Sequence, residues 1–127
     1  MSTATIPSTE LQTLKAQFFK SLAHPVRIRI LEILVKGEAQ VQELQKTLDL
    51  DQPIVSQQLA RLRSSGIVVS RKEGTATFYT LADPMLGELL QVAKVILNRH
   101  LVGVRSLLRE LATETNSSRG RRMRSRR

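Results

Sequence analysis

A mainly α-helical fold with one small β-hairpin is what this sequence predicts, and three observations carry the prediction. Apolar residues recur at three- and four-residue steps through several stretches, the longest from Leu86 to Leu111. β-Branched and aromatic residues gather in one stretch, "IVVSRKEGTATFYTL", divided by a Glu-Gly pair. Pro and Gly fall between the periodic stretches, where helices stop and start. At 127 residues the chain is one domain's worth. A chain this short buries about two thirds of its unfolded surface, so oligomerisation would add stability. With three Phe, one Tyr and no Trp, the core must come from Leu, Ile, Val and Ala.

Residues 1–8 read as a flexible leader. Ser8 or Thr9 can cap a first helix, Glu10 suits its first turn, and Leu11, Leu14, Phe18 and Leu22 follow at helical steps. "AHP" ends it, because the residue before a proline is pushed out of helical space. Pro25 suits the first turn of a second helix, "PVRIRILEILVKG", with Val26, Ile30, Ile33 and Leu34 inward and Gly37 as its stop. His24, in the corner between the two, reads as a structural cap. A third short helix over about 39–48 aligns Val41, Leu44 and Leu48. After "DLDQP", Asp51 is placed to cap a fourth helix that Gly66 ends. The hairpin follows, turning at Glu73-Gly74. A long last helix covers about 84–111. Residues 113–127 turn to Thr, Asn, Ser, Gly and Arg and read as a disordered tail.

Helices three and four, joined by a short turn, form a helix-turn-helix, and the hairpin behind them is a wing. A winged helix-turn-helix domain over 9–112 is therefore expected, between the leader and the tail.

Composition removes several functions. There is no Cys, so disulfides, thiolate metal sites, thiol switches and Cys nucleophiles are all excluded. Two separated His and no Gly-rich phosphate loop leave no catalytic constellation, so no enzyme and no cofactor are expected. No apolar run approaches the roughly 20 residues that span a bilayer. "MSTATIPSTE" lacks the basic and apolar regions of a secretory signal, and a cytoplasmic location is expected. The formal net charge is +9 and is unevenly placed. The segment "SRGRRMRSRR" holds six Arg and no acid, while 52–81 holds Arg61, Arg63, Arg71 and Lys72 against Glu73. Both segments invite a polyanion.

On a helical wheel, Val55, Leu59 and Leu62 cluster on one side of helix four. The opposite side carries Gln57, Ala60 and Arg61, with Ile54, Ser56 and Gln58 on the flanks and no acid. Amide, hydroxyl, guanidinium and small apolar groups are the chemistry of the major groove. Gln52, Ser56 and Gln57 are the candidates for base or adjacent phosphate contact, Gln58 flanks them, and Arg61 and Arg63 are candidates for phosphate. The bland alternative is a solvated helix face. On the wing, Arg71, Lys72, Thr75 and Thr77 suit phosphate or the minor groove, against the alternative of a polar hairpin tip.

The run from "SLAHPVRIRIL" through "QPIVSQQLARLRSSGIV" to "RKEGTATFYTL" resembles the ArsR/SmtB family of bacterial winged-helix repressors over roughly residues 21–81. The resemblance implies a homodimer that represses its own operon and leaves DNA on a signal. Many metal-sensing members carry "ELCVCDL" in the third helix. The matching stretch here is "EAQVQEL", with Gln40 and Gln42 at the two Cys positions. Amides are poor ligands for soft metals, so no metal is expected there. In the plainer view both are polar helix positions beside the core residue Val41.

In the last helix, Leu86, Leu90, Ala93, Leu97, His100, Val104, Leu107 and Leu111 alternate steps of four and three, a coiled-coil-like seam. It is expected to form a homodimer interface, with Phe18 and Phe19 of the first helix beside it, and the resemblance implies the same. Two-fold symmetry would fit an inverted-repeat DNA operator. His100 has three readings: a hydrogen-bonded structural residue, a pH-sensitive interface residue, or a metal ligand. Asp83 and Glu88 are too far from it along one helix to complete a metal site, which favours the first. Two other functions stay open. The winged helix could be a protein-interaction module, or the basic tail could drive non-specific nucleic-acid binding.

Overall fold

The computed structural model describes residues 5–125, and the side chains of residues 5–116. Eight elements follow in order: α1 (Ser8–Leu22), α2 (Pro25–Val35), β1 (Ala39–Gln40), α3 (Val41–Leu48), α4 (Gln52–Ser64), β2 (Val68–Glu73), β3 (Ala76–Leu81) and α5 (Met85–Ser125). The chain divides into two compact units, one ending at Glu88 and the other beginning at Leu89.

The first unit is the winged helix-turn-helix. Its core is aliphatic, as the shortage of aromatics requires. Ile30, Leu31, Leu44, Val55, Leu59 and Leu62 from α2, α3 and α4 are fully buried, with Ile67 and Val68 joining from the start of the wing. Leu31 belongs to this core although the sequence pattern put Ile33 there; Ile33 and Val26 are only half-buried. His24 caps α2, its Nδ1 accepting a hydrogen bond from the Val26 amide at 3.1 Å. Asp51 takes the N-cap position of α4, but its side chain makes no cap bond. The α3–α4 turn is made by a left-handed residue, Asp49 (φ 53°), a conformation that Asp tolerates better than most. Gly66 (φ 74°) ends α4, and the Ile67 amide then donates back to the Leu62 carbonyl at 2.9 Å.

The sheet has three strands, not two, in the order β1-β3-β2 and antiparallel throughout. Residues 39 and 40 were expected to open the third helix; instead they pair with Tyr79 and Phe78 of β3. Gln40 becomes the N-cap of α3, and Glu43 reaches back to its amide in a capping box. The buried side chain here is Ala39, while Val41 is half-buried. β2 and β3 pair from Val68–Leu81 to Glu73–Ala76. The connecting pair is therefore Gly74-Thr75, one residue later than expected. Gly74 supplies the positive φ (61°) that a tight hairpin turn needs at this place.

Leu86 was expected in the seam of the last helix. It is 6% exposed and belongs to the core of the first unit. Near it Gly87 lies close to α2: a Cβ there would meet Val35 at 3.3 Å.

The second unit is the rest of α5. It continues to Ser125, past the end expected near residue 111; residues 126 and 127 of the expected tail lie outside the described residues. Thr113 and Thr115 donate their hydroxyls to the carbonyls of Arg109 and Leu111, one turn back, at 2.9 Å. Among the described residues no helix is long and apolar enough to cross a membrane.

Candidate nucleic-acid interface

The surface is built from α4 outward. Val55, Leu59 and Leu62 anchor it with essentially no exposure, and the residues on the far side of the helix are thereby turned to solvent. Gln52, Gln57, Ala60, Arg61 and Arg63 are exposed, and Ser56 is half-exposed. Among the described residues neither arginine forms an ion pair, so both guanidinium groups are free to meet an anion. No acidic residue lies on this helix. The stretch from Gln52 to Gln57 forms the first turns of α4, the part that addresses base edges in helix-turn-helix proteins.

Gln58 is a correction. It was expected on the flank of the reading face, but it is 7% exposed, and its Oε1 finds no hydrogen-bond partner among the described residues. The reason is its spacing. It stands three residues after Val55 and four before Leu62, so it shares their face.

On the wing, three of the four candidate positions are open to solvent. Lys72 and Thr75 are exposed and Thr77 half-exposed, and Lys72 has no acidic partner among the described residues. Arg71 differs. Its Nη1 donates to Glu73 Oε2 at 2.7 Å. Its Nη2 donates to Glu38 Oε1 at 2.8 Å and Oε2 at 3.0 Å, and its Nε to Glu38 Oε2 at 3.2 Å. The guanidinium also lies over the Phe78 ring, 4.5 Å from its centroid. The hydrogen bonds to Glu73 and then Glu38 raise its pKa further above the ordinary arginine value. Sequence reading missed Glu38 because it lies 33 positions away.

The seam of α5 is exposed in the single chain. Leu97, Val104, Leu107 and Leu111 all face solvent, Leu97 at 58%, and His100 lies exposed among them. Leu90 is half-buried and Ala93 exposed. On α1, Phe18 is half-buried and Phe19 exposed, their rings edge to face at 5.5 Å. A contiguous apolar stripe this long is uncommon on a lone soluble chain.

Fold and surface together define a winged helix-turn-helix DNA-binding domain. The comparisons refine this class. Residues 24–70 match the model of the family described as "Bacterial regulatory protein, arsR family". The HTH-type transcriptional regulator Rv0081 of Mycobacterium tuberculosis is 46% identical over 105 residues, 82% of this chain and 92% of that one. Its crystal structure superposes with a TM-score of 0.68, covering 73% of this chain and 94% of the other. The biofilm growth-associated repressor of Agrobacterium fabrum is 42% identical over 81 residues, 64% of this chain and 69% of that one. The homodimeric winged helix-turn-helix DNA-binding domain of Mb0332 from Mycobacterium bovis, solved by NMR, gives a TM-score of 0.68 at 29% identity, over 80% of this chain and 94% of that one. The chain belongs to the ArsR family of bacterial transcriptional regulators, whose members are DNA-binding proteins and not enzymes. It is a member without cysteine.

Proposed function

We propose that the protein is a homodimeric repressor that reads an inverted-repeat operator through α4. The single observation that carries this is the two-sided character of α4: an aliphatic face buried to completion, and an opposite face of amides, a hydroxyl and unpaired guanidinium groups with no acid. Gln52, Ser56 and Gln57 meet base edges or the adjacent phosphates, Arg61 and Arg63 meet phosphate, and Lys72, Thr75 and Thr77 of the wing flank them. The stripe of α5 (Leu90, Ala93, Leu97, His100, Val104 and Leu107) joins two copies, with Phe18 of α1 as a further interface residue, so that two recognition helices address successive major grooves. Homodimerisation of the Mb0332 domain and the repressor role of the Agrobacterium relative support this reading. A chromosomal operator places the protein in the cytoplasm. With no cysteine in the chain and Gln40 serving as a helix cap, the third helix offers no thiolate pair to a soft metal.

The test is Gln57→Ala. A bidentate amide–adenine contact is worth roughly 1–3 kcal/mol of discrimination. The variant should lose at least several-fold in affinity for the operator and little for random DNA. Equal losses on both would remove Gln57 from base reading.

A further inference from the structure

The wing carries less free charge than its own residues suggest. Arg71 and Lys72 against Glu73 leave one positive charge in the hairpin. The fold adds Glu38 to this group, and the hairpin together with its neighbouring carboxylate becomes neutral. The strand register explains how residues so distant meet. Arg71 pairs with Phe78 and Phe78 pairs with Gln40, so the three lie in one row across β2, β3 and β1. The Arg71 side chain stretches along that row, over the Phe78 ring, to the carboxylate just before β1. Glu73, two residues along the same strand, points to the same side and takes the remaining Nη.

The chain leaving Glu38 leads directly into the helix-turn-helix. Ala39 is buried and paired with Tyr79, and Gln40 caps α3. A link between Arg71 and Glu38 therefore ties the outer strand of the wing to the residue that precedes the first helix of the reading motif. A single exposed ion pair contributes little, but this one is bidentate, shared between two carboxylates and stacked on a ring.

We propose that Arg71 is a positioning residue: it clamps the hairpin to the start of β1 and sets the angle of the wing, while Lys72 is the wing's phosphate contact. This rests on the DNA-binding reading for its consequence but not for its geometry. The bidentate fork and the face contact are properties that a lysine cannot reproduce, so the clamp also explains why the two adjacent basic residues are not equivalent.

The test uses the full chain and the variants Arg71→Ala, Glu38→Gln, Lys72→Ala and the double Arg71→Ala/Glu38→Gln. In the free protein, amide hydrogen exchange across 68–81 should quicken several-fold in Arg71→Ala and in Glu38→Gln alike, and stay unchanged in Lys72→Ala. On operator DNA, Arg71→Ala and Glu38→Gln should weaken binding to a similar degree, with the double variant no worse than either. The slope of log K against log salt should stay at the wild-type value in Arg71→Ala and shrink by about 1.8 per dimer in Lys72→Ala, at about 0.9 per phosphate contact. A smaller slope in Arg71→Ala together with tighter binding in Glu38→Gln would overturn the proposal, because Arg71 would then be a phosphate contact that Glu38 masks. Unchanged exchange in both Arg71→Ala and Glu38→Gln would overturn it as well. The exchange measurement needs no DNA, so a wild-type protein that failed to bind an operator would count against the DNA reading and leave the clamp to be judged separately.

Discussion

Replacing Arg63 by Ala isolates the electrostatic part of the recognition surface. Arg63 stands in the last turn of α4, exposed and without an acidic partner among the described residues. Its removal should cost the free protein only the favourable interaction of a cation with a helix C-terminus, about 0.3–1 kcal/mol. On DNA each dimer loses two phosphate contacts. At about 0.9 per contact, the slope of log K against log salt should fall in magnitude by about 1.8. Carried from 1 M to 0.15 M salt, that slope corresponds to roughly a 30-fold weaker complex. The loss should be the same on operator and on random DNA, since phosphate contacts carry no sequence information. Fluorescence anisotropy across a salt series on both DNAs measures it. An unchanged slope, or a loss confined to the operator, would refute the assignment of Arg63 to phosphate.

Two further outcomes are expected. Leu97→Glu places a charge in the exposed apolar stripe of α5 and should halve the mass seen by light scattering; an unchanged mass would refute the seam. Gly66→Ala meets no atom within 4 Å but forces a Cβ into left-handed space, so it should lower stability by about 1–2 kcal/mol in a denaturant titration, and no change would show that the helix end relaxes freely.

Much of this molecule is legible from local chemistry. The faces of α4 follow from the spacing of Val55, Leu59 and Leu62, and the cap at His24 from the proline beside it, because both depend on neighbours within one or two turns. The features that local chemistry does not show depend on partners distant in the chain. β1 is two residues long, Ala39 and Gln40, with no strand pattern of its own, and only its pairing with β3 creates it. The Arg71–Glu38 link follows from that pairing. Gln58 and Leu86 show the limit of assigning faces by residue type. Residue type puts polar Gln58 on the surface despite its core spacing and apolar Leu86 at the interface by its seam spacing, yet both are buried in the first unit. α5 outruns its apolar pattern for a different reason. Thr and Asn are weak helix formers, yet a helix already nucleated over many turns adds each further residue at small cost.

The central claim is that α4 reads sequence rather than only charge. The most direct measurement is binding to DNA from upstream of the protein's own gene, against random DNA of equal length, from low to physiological salt. A preference for the upstream segment that persists at about 0.15 M salt, with a footprint of two half-sites spaced by about 10 base pairs, is the predicted result. Weak binding to both DNAs that vanishes together as salt rises would contradict it, and would leave charge alone as the source of affinity.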